Sequence, residues 1–249
     1  MRYAVTGGTT GIGAETVNLL KTAGHDVLVY DMAQPDRDDV DFIEFNLNDA
    51  ASIDAALAAT KGPFDGLCHI AGIPPREGNT IPCLMINAVG ACRFIEGMLP
   101  HLAKETPVVS VGSRAGMGWE NNTDLLDDLL ACAPDALADW AKAHEVNSTL
   151  SYKYAKQALI YWHQKKVAEL IGSHRFITIS PAAVSSGILD DFIKAFGPQV
   201  EKNLARVGRP GTPLEAAEVL NFALSPASSW LNGIDIVVDG GMGALNLKV

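Results

Sequence analysis

A strand-like run meets a glycine-rich turn close to the start of the chain. The stretch "RYAVTGGTTGIG", Arg2 to Gly13, then passes directly into helix-forming sequence. Strand, glycine turn and helix in that order constrain the fold more than any other feature. A side chain on Gly7 or Gly13 would obstruct the tight turn or hold a diphosphate away from the backbone, while the helix start presents unpaired amides. Thr9 and Thr10 add two hydroxyls. The arrangement predicts a parallel α/β sheet with a dinucleotide site at the carboxyl end of its first strand.

The rest of the chain repeats the alternation. "RYAVTG", "DVLVYD", "DFIEFN", "FDGLCHIAG", "PVVSVGS", "RFITIS" and "IDIVVDGG" read as seven strands separated by helix-sized segments. Several are apolar without strict alternation, as parallel strands covered on both faces are. A doubly wound parallel seven-stranded sheet, the Rossmann fold, is expected as one domain over residues 1–249. Residues 117–150 break the rhythm. They read as two short acidic amphipathic helices parted at Pro134, a helical insertion within the domain. Trp140 should pin it down; Trp119, nearer the site, suits either packing or a substrate wall.

Composition excludes several function classes. The formal charge is −10, with no cluster of Lys and Arg to offset it, so nucleic acid is not expected as a partner. Cys68, Cys83, Cys92 and Cys132 form no CxxC pair, and the six histidines form no HExxH, so no metal site is expected and the thiols read as small apolar groups. "MRYAVTGG" lacks the basic and apolar run of a secretory leader, and no apolar stretch approaches the roughly 18 to 20 residues that cross a bilayer. A cytoplasmic protein is expected, with no membrane partner.

The second strand ends in Asp31, eighteen residues after Gly13. A carboxylate there accepts hydrogen bonds from both ribose hydroxyls and repels a 2′-phosphate, which predicts NAD over NADP. Arg37, in the following loop, leaves an opening for phosphate, and Asp31 also suits a solvated loop start. "SYKYAKQALIYWHQKK" then offers two Tyr-x-x-x-Lys pairs, Tyr152 with Lys156 and Tyr161 with Lys165. Ligands sit beyond the carboxyl ends of parallel strands, where the following helices begin. Tyr152 opens its helix, whereas Tyr161 stands about 13.5 Å farther along the axis and about half a turn round. Tyr152 is the candidate base; Tyr161 and Lys165 read as packing and surface charge. Tyr154 points off that face.

These motifs together resemble the short-chain dehydrogenase/reductase family nearly end to end. "TGGTTGIG" is similar to its TGxxxGxG turn, "HIAG" to its NNAG element, "VGS" to its catalytic-serine strand, "YKYAK" to its YxxxK and "VDGG" to its last strand. Within the family, "DGLCHIAG", "WLNGIDIVVDGG" and the long gap from Ser113 to Tyr152 are similar to the branch of bacterial 3α-hydroxysteroid dehydrogenase/carbonyl reductase and coniferyl alcohol dehydrogenase. The resemblance implies Ser113, Tyr152, Lys156 and Asn87 as catalytic residues, with Asn87 in a proton relay to Lys156. It implies a cofactor set of Gly7, Thr9, Thr10, Gly11, Ile12, Gly13, Asp31, Met32, Asn46, Leu47, Ala71, Gly72, Pro181, Val184 and Ser186, joined by Tyr152 and Lys156. Val184 would offer backbone to the nicotinamide carboxamide, and Ser186 would replace a threonine. His69 and Ile70 depart from the family's two asparagines, Asn46 from its aspartate and Ala182 from a loop glycine.

Hydride transfer explains the residue types. Oxidising an alcohol needs a base, and a free tyrosine with a pKa near 10 is rarely ionised. Lys156 and the positive nicotinamide ring should together favour the phenolate, Lys156 should also hold the nicotinamide ribose, and Ser113 should steady the substrate oxygen. The expected function is NAD-dependent alcohol dehydrogenation on an apolar, steroid-like or aromatic substrate. Alternatives are a carbonyl reductase running mainly in reverse and an NAD-binding sensor without turnover. Substrate choice is expected in the 117–150 segment and in a stretch with Ile188, Leu189, Phe192 and Phe196, which suit a mobile cover or ordinary core. A small-molecule alcohol or carbonyl partner and a homodimer or homotetramer complete the expectation.

Overall fold

The computed structural model describes residues 1–246; the last residues of the expected 1–249 domain, 247–249, lie outside the described residues. Strands form where apolar runs are bounded by glycine or charge: β1 (Arg2–Thr6), β2 (Asp26–Asp31), β3 (Asp41–Glu44), β4 (Gly66–His69), β5 (Thr106–Val111), β6 (His174–Pro181) and β7 (Ile234–Val238). All pair in parallel, in the order β3-β2-β1-β4-β5-β6-β7. The winding reverses between β1 and β4, which opens a crevice above their carboxyl ends.

Helices cover both faces. α1 (Gly11–Thr22) and α10 (Pro213–Leu224) lie over one, where Val5, Val29, Val109 and Ile177 meet Val17 and Leu220. On the other lie α2 (Ala50–Ala59), α3 (Thr80–Leu84), α4 (Gly90–Met98) and α7 (Ser148–Leu170), around Ala4, Leu67, Val108 and Phe176. α3 runs into α4 through a π turn, Met85–Val89. Thr80–His101 is in fact apolar and long enough to cross a bilayer, which corrects the sequence reading. The cause of its apolarity is burial: Leu84, Phe94, Ile95 and Met98 sit in the core.

Residues 117–150 hold α5 (Thr123–Ala131) and α6 (Leu137–Ala143), with a 3₁₀ turn from Pro134 between them. Leu126 and Leu129 are fully buried, and Trp140 packs with them in the domain core, so it does pin the segment, while its Nε1 donates to Asp128 Oδ2 at 2.8 Å within it. Trp119 stacks on Tyr161 instead of shaping a cavity. α7 starts at Ser148, a turn before the expected start, because Asn147 Oδ1 accepts from Leu150 N at 2.9 Å and caps it. α8 (Leu189–Phe196) and α9 (Pro198–Val207) cross above the carboxyl ends of the strands and contain no fully buried residue.

Candidate active site

One cavity of about 840 Å³ occupies the crevice, and every candidate catalytic and cofactor-binding residue from the sequence lines it. At its cofactor end Gly7 has φ +70°, and a Cβ there would lie 2.7 Å from the Ala71 backbone. A Cβ on Gly13 would lie 1.8 Å from the Gly7 carbonyl oxygen. Gly13 therefore serves the packing of turn on helix, and Gly7 the approach of β1 to β4. Thr10 precedes α1 without capping it through its side chain, and no acid stands in the first turn. The first amides of α1 thus remain available to an anion, and the residues present fit a diphosphate.

Asp31 stands beside this turn. Thr9 donates to Asp31 Oδ2 through its backbone N (3.2 Å) and its hydroxyl (2.7 Å), and Met32 N donates to Oδ1 at 2.8 Å. The Thr9 hydroxyl thus orients the carboxylate. Arg37 offers nothing to a 2′-phosphate: it forks onto Asp39 at 2.6 and 2.9 Å and donates to Asn18 at 2.8 Å. Asn46 Oδ1 accepts from Asn48 N at 2.9 Å, which leaves its NH₂ as the open group. Leu47 is buried and Met32 exposed at the rim.

Ser113, Tyr152, Lys156 and Asn87 converge at the cavity's inner end. Ser113 Oγ accepts from Ala115 N at 3.1 Å, and its own hydrogen remains for Tyr152 or for a substrate oxygen. Lys156, only 3% exposed, donates to the Val111 carbonyl at 2.8 Å. Burial lowers its pKa to about 8. Tyr152 is equally enclosed, its ring meeting Phe192 at 5.2 Å and Phe196 at 6.2 Å edge-on. Burial raises its pKa well above the ordinary 10, against a smaller lowering by Ser113. Lys156 Nζ lies 5.9 Å from the Tyr152 ring and does not offset this. In the protein alone desolvation favours the phenol form of Tyr152; the expected phenolate rests on Lys156 together with the positive nicotinamide ring.

Asn87 sits in the π turn and latches the loop after β4. Its Oδ1 accepts from Ile73 N at 3.1 Å, and its Nδ2 donates to Ile73 O at 3.0 Å and Cys83 O at 3.1 Å. A Cβ on Gly72 would lie 2.6 Å from Asn87 Oδ1 and 3.6 Å from Lys156 Nζ, so all three meet. After β6, Gly211 holds the loop through Ser185 N (2.8 Å) and Ala183 O (3.0 Å), turning Val184 N–H away from that bridge. Pro181, Val184 and Ser186 line the wall there.

Tyr161 and Lys165 lie outside the cavity, both bonded to Asp127, at 3.0 and 2.6 Å. Tyr154 packs against the core. Among the described residues none of 117–150 lines the cavity, which corrects the expectation that this segment selects substrate. Ile188, Phe192 and Phe196 do line it, while Leu189 does not. Sequence reasoning missed Ile73, Ile86, Arg114, Gln199, Val200, Asn203 and Met242. The i, i+4 spacing of Gln199 and Asn203 on α9, bonded at 3.0 Å, was the available signal.

Residues 2–123 match the family model described as short chain dehydrogenase, and residues 137–243 one described as enoyl-(acyl carrier protein) reductase. The coniferyl-alcohol dehydrogenase of Pseudomonas sp. (strain HR199 / DSM 7063) is 32% identical, over 97% of this chain and 96% of its own. The 3-alpha-hydroxysteroid dehydrogenase/carbonyl reductase of Comamonas testosteroni is 29% identical over 97% and 96%. Among solved structures, the 3-alpha-hydroxysteroid dehydrogenase from Pseudomonas sp. B-0831 complexed with NADH superimposes with a TM-score of 0.83 at 28% identity, covering 98% of each chain.

Proposed function

The chain belongs to the short-chain dehydrogenase/reductase family, and from that premise we propose an NAD-dependent oxidoreductase that interconverts an apolar, aromatic or steroid-like alcohol and its carbonyl compound. One observation carries the reading: Ser113, Tyr152 and Lys156 close the same cavity whose other end is the glycine turn beside Asp31. Bound NAD supplies the hydride acceptor. The uncapped start of α1 holds its diphosphate, and Asp31, pre-oriented by Thr9, receives its ribose hydroxyls.

The chain's own groups handle the proton. Ser113 donates its hydroxyl hydrogen to the substrate oxygen and stabilises charge there. Tyr152 takes the alcohol's proton, or gives one to a carbonyl, at its phenolic oxygen. Positive charge entering the cavity lowers the Tyr152 pKa towards the range that oxidation needs. Carbonyl reduction is the second reading: Tyr152 holds in the protein alone the proton that a carbonyl oxygen accepting hydride needs.

Ile73, Ile86, Ile188, Phe192, Phe196, Val200 and Met242 give the substrate end an apolar lining, with Gln199 and Asn203 at one side. That lining supports a flat apolar substrate bearing a second polar group. The proposal includes a cytosolic location, in keeping with four free cysteines whose buried members Cys68, Cys83 and Cys92 have pKa values raised by burial. It also includes a homo-oligomer. Trp230, Phe222, Leu214, Ile234 and Val237 are exposed apolar side chains on α10, on edge strand β7 and on the link between them, and they support a dimer contact there.

The test is formation of reduced nicotinamide from NAD with hydroxysteroids, cinnamyl-type alcohols and small secondary alcohols. Tyr152→Phe should lower turnover by about 10²–10⁴-fold, while Tyr161→Phe stays near wild type. Binding of NAD with no turnover of any alcohol or matching carbonyl would sink the enzyme reading in favour of a sensor.

A further inference from the structure

Among the described residues four buried polar atoms have no protein partner; besides His174 Nδ1 at the start of β6, three lie beneath the catalytic floor: His69 Nε2, Ser110 Oγ and His163 Nε2. They belong to one face of the sheet. His69 on β4 stands opposite Thr6 on β1 and Ser110 on β5 in register, so the three side chains point to the same side. That is the side covered by α7, since Ala4, Leu67 and Val108, two positions back along each strand, pack with Ala155, Ala158 and Leu159. His163 follows Lys156 by two turns on the same helix face, about 10.5 Å along the axis. His69 lies near both, for a proton on either Lys156 or His163 lowers its pKa.

The hydrogen-bond partners fix the tautomers. Thr6 Oγ1 accepts from Ile70 N at 3.1 Å and from Ala71 N at 3.2 Å, which uses both its lone pairs. Its own hydrogen must therefore go to His69 Nδ1, 2.9 Å away. Burial keeps His69 neutral, with a pKa near 3, so its proton is on Nε2. His163 Nδ1 lies 3.0 Å from the Leu159 carbonyl, which can only accept. His163 is also neutral, its pKa lowered by burial to about 4, so its Nε2 is a bare acceptor. The unpartnered set is thus one donor, one acceptor and one hydroxyl, the complement of a single water molecule.

We propose that His69 Nε2–H, His163 Nε2 and Ser110 Oγ bind an internal water, and that this water makes His69 a positioning residue for the cofactor wall. The water accepts from His69 and donates to His163 and Ser110. Held in this way, His69 orients the Thr6 hydroxyl, and Thr6 in turn anchors the amides of Ile70 and Ala71, which line the cavity. The device replaces the asparagine that family resemblance sets at position 69. His163 acts at a distance, since it touches the cavity nowhere.

Nitrogen-15 NMR on the cofactor-free wild-type protein tests this without any turnover. The expected spectrum has His69 as the Nε2–H tautomer and His163 as the Nδ1–H tautomer, with a cross-peak from the His69 ring N–H proton to a long-lived water. A His69 proton on Nδ1, or a His69 Nε2–H with no water cross-peak, would overturn the site. The positioning role is read separately, by titrating NAD into His163→Gln and His163→Leu and following the His69 resonance. Gln keeps an acceptor and should leave the resonance and NAD affinity within about twofold of wild type. Leu should move the His69 resonance and weaken NAD by about five- to tenfold. If Leu left both unchanged, His69 would not act through this water.

Discussion

Burial governs the titrations of single residues here. His69 and His163 have folded pKa values near 3 and 4, below the ordinary 6.5, so between those limits the unfolded chain binds more protons. Stability therefore rises with pH across that window, is complete above 6.5, and falls as acid is added. Each histidine contributes about 1.4 kcal/mol per pH unit below 6.5 until its own folded pKa is reached. Urea unfolding at pH 5.0 and 6.5 checks this. The His69→Asn, His163→Gln double variant should lose most of the difference, whereas an unchanged slope would assign acid sensitivity elsewhere. Asp31 gives a second expectation at this scale. Asp31→Ala removes the ribose acceptor and should cost NAD about 10- to 100-fold in affinity, as loss of hydrogen bonds to a charged group does. Binding titrations with both cofactors would show the NAD preference vanish, with no gain for NADP because Arg37 stays on Asp39.

Among the elements, α7 brings the chemistry to one helix end, and the α8–α9 pair closes over it. Gly197 joins those two helices at φ +71° and ψ −162°, a conformation reserved in practice for glycine. Gly197→Ala should strain that joint and change kcat and KM together, by several-fold, in steady-state assays. Phe192→Ala with Phe196→Ala should expose Tyr152 and raise KM for a cinnamyl-type alcohol by about tenfold; an unchanged KM would make these rings packing alone. Seven strands were legible because parallel strands are apolar runs cut off by glycine or charge. The glycine turn, Asp31 and Tyr152 were legible because each chemistry demands a residue type at a fixed place. The start of α7 was not, since Asn147 caps it through a side-chain bond that no apolar periodicity records. Nor was the substrate wall: apolar positions on α8 and α9 give the same pattern whether they face a core or a cavity.

For the whole molecule, five exposed apolar side chains, Leu214, Phe222, Trp230, Ile234 and Val237, gather at the β7 edge and α10, and none of the five lines the cavity. A dimer through that edge has a mass twice the 26.4 kDa of one chain. Light scattering should read that mass for the wild type, and Trp230→Asp with Val237→Lys should shift it towards one chain while the fold persists. A wild type that scatters as a single chain would remove the proposal. The cavity itself divides by origin. Its cofactor wall comes from many separate strand ends, joined by hydrogen bonds across the sheet, whereas much of its substrate wall comes from the continuous stretch 182–203. Inheritance acts on the two very differently. Drift in the stretch over the mouth can retune what is accepted one codon at a time, while the redox half, cross-braced from Thr6 to Lys156, stands as common stock for descendants with new diets.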